Sequence, residues 1–161
     1  LLVDIAVEKE KKYALESPTY TATVRGGPTK VDVIISDRPV TFPQACAIDL
    51  FICTFQKPWD IYKERLKDNA IIVVDSNLVK DLGETGTWKV YKVPIINETK
   101  KEVGNVMFTS VVTLGMTQKL TNVIDYQNMI DFIKAKYAPK GEELVRLNLR
   151  AIEVGRSLVS G

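Results

Sequence analysis

Along the first sixteen residues, LLVDIAVEKEKKYALE, apolar positions recur at helical spacing. Leu1, Leu2, Ile5 and Ala6 share a stripe with Lys9. The pattern predicts a first helix that ends near Leu15. No residue precedes Leu1 to cap it, and this carries the expectation that an upstream strand and loop are missing. The period then changes. Residues 30–36, KVDVIIS, are rich in β-branched side chains and predict a strand. DRPVTFP reads as a turn with a short edge segment. Residues 47–55 and 70–76, AIDLFICTF and AIIVVDS, are almost wholly apolar, as strands covered on both faces are. Between them, residues 57–69, KPWDIYKERLKDN, predict an amphipathic helix. Pro58 lies in its first turn, and Ile61, Tyr62 and Leu66 face inward.

A loop, NLVKDLGETGT, leads to WKVYKVPI, where Trp88 and Val90 alternate with Tyr91 and Val93 as in a strand. Residues 104–120 predict a helix that is apolar around most of its circumference and therefore buried. Asn105 follows Gly104 as its N-cap, and Gly115 allows a close approach to the sheet. Residues 125–137 predict a helix capped by Asp125, with Tyr126, Met129, Ile130, Ile133 and Tyr137 on one stripe. In residues 139–161, Leu144, Leu147, Ala151, Val154 and Leu158 form one helical face opposite a charged one. Apolar strands alternating with helices predict a single α/β domain over residues 1–161. It is a three-layer, Rossmann-like domain with a mostly parallel sheet and helices on both faces. A helical C-terminal third closes it.

Charge and rare residues narrow the chemistry. The 22 basic and 20 acidic residues nearly cancel, which argues against nucleic acid as the main partner. No apolar run approaches the ~20 residues that a membrane span needs. The chain has no histidine, so Ser-His-Asp and Cys-His nucleophile systems are excluded and the commonest metal ligand is missing. Its two cysteines, Cys46 and Cys53, lie in apolar surroundings without a Cys-x-x-Cys pair. They read as buried thiols rather than cluster or zinc ligands, in a reducing, cytoplasmic setting. If the domain takes part in an enzyme, the difficult chemistry belongs to a cofactor or to another chain.

Parallel sheets bind ligands beyond the carboxyl ends of their strands, and three segments are expected at that edge. In the first, SPTYTATVRGGPTK, Gly26 and Gly27 allow positive φ and close backbone approach. Arg25 offers a planar fork for phosphate or carboxylate, and Thr19, Tyr20, Thr21 and Thr23 add hydroxyls. The alternative is a plain turn with a solvated arginine. The second segment holds Gln56 and Lys57, which either contact a ligand or start the next helix. The third is Gly104–Asn105, an anion-attracting helix start or an ordinary cap. Asp75 resembles the acidic residue that holds a ribose in dinucleotide folds, without their glycine fingerprint.

The stretch SPTYTATVRGGPTKVDVIISD, together with LKDNAIIVVDSNLV, VPI and EVGNVMFTSVVTLG, resembles the gamma subunit of 2-oxoacid:ferredoxin oxidoreductases, nearest to the 2-oxoglutarate branch. The resemblance covers essentially the whole chain. It implies a multi-subunit enzyme that decarboxylates a 2-oxoacid oxidatively with coenzyme A, giving acyl-CoA, carbon dioxide and reduced ferredoxin. It implies thiamine diphosphate between alpha and beta subunits and iron–sulfur clusters on a ferredoxin-like subunit or domain. No cofactor is expected on this chain alone, and coenzyme A is expected as co-substrate. The family's usual opening strand and Gly-Gly-Gln-Gly loop are expected upstream of this chain's first helix. On this reading the cofactor-binding candidates are Thr19, Tyr20, Thr21, Arg25, Gly26, Gly27, Gln56, Gly104 and Asn105, the Thr/Tyr/Arg loop forming a rim for coenzyme A phosphates or for the 2-oxoacid channel, with a subunit-interface ion pair as the alternative for Arg25; no catalytic or metal-binding residue is assigned. Two other classes fit the residues: a stand-alone Rossmann-like module for nucleotides or anions, and a structural interface subunit.

Overall fold

The computed structural model describes residues 1–19, 29–42, 45 and 47–160. A parallel sheet forms its centre. Strand β3 (Ile48–Cys53) pairs with β4 (Leu66–Asp75), and β4 pairs with β5 (Lys89–Val93). The register sets Phe51, Ile72 and Val90 in one row, and Ile52, Val73 and Tyr91 in the next. Successive side chains point to opposite faces, so these rows feed two separate cores. The first row packs with Cys53, Val74, Val79 and Leu82 around Trp59 of α2 (Gln56–Tyr62). The second packs against α1 (Leu2–Glu8), α3 (Ile95–Val103), α4 (Thr109–Thr121), α5 (Tyr126–Tyr137) and α6 (Glu142–Leu158). Helices therefore cover both faces, as the apolar strands predict.

A separate antiparallel hairpin joins β1 (Tyr13–Thr19) to β2 (Lys30–Ser36), with Tyr13 opposite Ser36 and Thr19 opposite Lys30. This corrects the first helix, which ends at Glu8 rather than near Leu15. Five consecutive charged residues from Glu8 to Lys12 remove the apolar stripe, and Lys11 turns left-handed at φ 57°. The next residues gain ladder bonds to β2 that a helix would forgo.

The second helix is also shorter than its pattern suggests. It stops at Tyr62, a 3-10 turn covers Lys63–Arg65, and Leu66 already begins β4. Trp59 and Tyr62 face inward, whereas Ile61 is exposed. Helix α3 (Ile95–Val103) has no counterpart among the elements that the sequence pattern predicts. It ends at Gly104, whose φ of 88° places it in the left-handed cap position. Gly104 thus closes one helix rather than opening the next. Asn105 caps a 3-10 turn, Val106–Phe108, and α4 follows at Thr109. Asp125 caps α5 as expected, its side chain accepting from the N–H of Asn128.

Gly115 makes its close approach to α6, not to the sheet. A Cβ there would collide with the carbonyl of Ile152, and one on Gly155 with the carbonyl of Val112. The two glycines let α4 and α6 pack backbone to backbone. The buried face of α6 keeps the predicted Ala151 and Val154 and adds Asn148, Ile152 and Gly155, while Leu144, Leu147 and Leu158 are only partly covered.

Candidate functional site

A cleft of about 1390 Å³ separates the hairpin from the parallel sheet. Strands β2 and β3 line it along their lengths, and each has one edge without a strand partner among the described residues. Ser110, Thr113, Thr117 and Thr121 of α4 line it as well. They recur at steps of three and four, which puts four hydroxyls on one helical face. The threonine hydroxyls donate back along the helix: Thr113 to the Ser110 carbonyl at 3.0 Å, Thr117 to Thr113 at 2.9 Å and Thr121 to Thr117 at 2.6 Å. That bonding satisfies their donors while leaving acceptor lone pairs.

One side of the cleft is aromatic and basic. Tyr62, which is buried, has the Lys30 ammonium 5.4 Å from its ring centre and the Arg65 guanidinium at 5.5 Å. Both distances lie within cation–π range. Lys30 also pairs with the carboxylate of Asp32, itself buried. Cys53 closes the end of β3. Its thiol donates to the Phe55 carbonyl at 3.1 Å, and burial pushes its pKa above the ordinary value. A thiol held protonated in this way is a poor nucleophile, which suits the expected structural role.

Four of the predicted site residues are described, and none of them lines the cleft. Thr19 ends β1 opposite Lys30. Gln56 starts α2, two residues from Thr54. Its Oε1 accepts from the N–H groups of Lys80 and Asp81, at 2.9 and 3.1 Å. Its Nε2 donates to the Asp81 carbonyl and to Asp60. The side chain is thus a clamp between α2 and the β4–β5 connection. Gly104 donates its N–H to the Lys100 carbonyl at 3.1 Å. Asn105 accepts from the Met107 N–H at 2.9 Å, and Ser110 of the following helix lines the cleft. Tyr20, Thr21, Arg25, Gly26 and Gly27 lie outside the described residues, as do Thr23 and Cys46.

Asp75 is corrected. It is fully buried, and its two oxygens accept from the N–H groups of Asn77 and Ile96, both at 2.9 Å. The carboxylate ties β4 to the start of α3 and has no geometry for a ribose. The hydroxyl face of α4 and the Lys30–Tyr62–Arg65 cluster were missed. Only the helical spacing of Ser110, Thr113, Thr117 and Thr121 signals the former in the sequence; the latter is assembled by tertiary packing.

Residues 1–158 match the family model described as pyruvate ferredoxin/flavodoxin oxidoreductase. The 2-oxoglutarate synthase subunit KorC of Methanocaldococcus jannaschii is 31% identical over 147 residues, covering 91% of this chain and 77% of that protein. Among solved structures, the keto/oxoacid ferredoxin oxidoreductase gamma subunit of Geobacter sulfurreducens superposes with a TM-score of 0.79 at 30% identity. The match covers 98% of this chain and 86% of that one. The 2-oxoglutarate:ferredoxin oxidoreductase of Magnetococcus marinus, solved with 2-oxoglutarate, coenzyme A and succinyl-CoA bound, shares the fold at a TM-score of 0.80 and 21% identity. There the match covers 98% of this chain and 27% of that chain.

Proposed function

The chain belongs to the pyruvate ferredoxin/flavodoxin oxidoreductase family, and from that premise we propose that it is the gamma subunit of a 2-oxoglutarate:ferredoxin oxidoreductase, a single gamma domain spanning residues 1–161. The observation that carries this reading is the 31% identity to a 2-oxoglutarate synthase subunit over 91% of the chain. The assembled enzyme converts 2-oxoglutarate, coenzyme A and oxidised ferredoxin into succinyl-CoA, carbon dioxide and reduced ferredoxin. The coenzyme A and succinyl-CoA bound in the Magnetococcus relative support that substrate set.

This chain supplies no complete active site. Its two cysteines and lack of histidine do not fit a four-ligand iron–sulfur cluster. On this reading, which family membership supports, thiamine diphosphate and the clusters sit on partners: alpha and beta subunits and a ferredoxin-like subunit. The setting is cytoplasmic. No helix among the described residues is long and apolar enough to cross a membrane.

The chain's own contribution is a rim for coenzyme A. Arg25 supplies charge for a phosphate, and Gly26 and Gly27 supply backbone approach. Thr19, Tyr20, Thr21, Gly104 and Asn105 add polar contacts, with Gln56 bracing the α2 side of the rim. Support comes from the β1–β2 ladder, which brings Thr19 and Lys30, at the two ends of this loop, together beside the cleft. The class is tested by omission. The chain co-purifies with thiamine-binding subunits, and the complex reduces ferredoxin or a viologen dye only with 2-oxoglutarate and coenzyme A. Full activity of a complex lacking this chain, or tight NAD binding by the chain alone, rejects the reading.

A further inference from the structure

We draw no further inference here: the strongest candidate, the cleft between β2 and β3 beside the hydroxyl face of α4, carries nothing, because nothing in the structure shows what covers it.

Discussion

The carboxylate of Asp75, at the end of β4, accepts a hydrogen bond from the backbone N–H of Ile96 at 2.9 Å, in the first turn of α3. A fully buried side chain so joins the central strand to the helix that leads into α4. Replacing Asp75 with Ala strands two amide donors, and hydrogen bonds to a charged group are worth roughly 1.5–3 kcal/mol each. Urea unfolding is expected to show a loss of about 3 kcal/mol for Asp75→Ala. Asp75→Asn, which keeps one acceptor, should lose less. A loss below about 0.5 kcal/mol in Asp75→Ala would contradict the bracket role.

Gly155→Ala and Gly115→Ala should both destabilise, although alanine is the better helix former by about 1 kcal/mol. Each new methyl group meets a backbone carbonyl of the facing helix, which cannot rotate aside. Overpacking of this kind typically costs ~1–3 kcal/mol. Thermal melts are expected to fall for both variants. A rise would mean that α4 and α6 do not pack as closely as described.

The two faces of α2 make opposite predictions. Trp59 is fully buried, 6.1 Å from Phe51 in a stacked arrangement and 5.8 Å from Trp88 edge to face. Trp59→Ala should cost about 3–5 kcal/mol. Ile61 is 47% exposed, and Ile61→Ala should stay within about 0.5 kcal/mol. The reverse order in denaturant unfolding would restore the inward face that the sequence pattern suggests.

Asp4 and Lys136 tie α1 to α5 at 2.8 Å. The hydrogen bond from Lys136 holds the Asp4 carboxyl below its ordinary value of 3.8. A depressed carboxylate contributes stability above its unfolded pKa and loses it as pH falls through the folded one. Lys136 is raised above 10.5, chiefly by the same bond, so its contribution is full below that value and lost as pH rises through the folded pKa. Both side chains are about 40% exposed, so solvent screening limits the pair to about 0.5 kcal/mol. The stability gap between wild type and Lys136→Met should be present at pH 7 and shrink at pH 3. A gap that is unchanged at pH 3 would reject the pair as its source.

What the sequence revealed follows from how locally each element is determined. Residues 50–53 and 70–74 are apolar on both pleat faces, so their burial in a helix-covered parallel sheet is readable from composition alone. Strand β1 is different. Leu15 continues the spacing of Ile5 and Ala6 closely enough to resemble a helix, and only pairing with Ile34 across the hairpin makes it a strand. Helix α3 was hidden because Gly104 reads equally well as a start or a stop. The left-handed φ that decides between them is a property of the folded backbone. Gln56 and Asp75 look like ligand contacts because polar side chains at strand ends are short of local partners. Lys80, Asp81, Asn77 and Ile96 satisfy them here, brought from 2 to 25 residues away.

The most direct test of the coenzyme A rim is the apparent KM for coenzyme A of the assembled enzyme carrying Arg25→Ala. Loss of one charge-assisted phosphate contact, at roughly 1.5–3 kcal/mol, corresponds to an increase of about 10- to 150-fold. The expected result is that increase, with the complex intact and the KM for 2-oxoglutarate unchanged. An unaltered KM for coenzyme A in an intact complex, or a complex that falls apart because Arg25 serves a subunit contact, would contradict the rim.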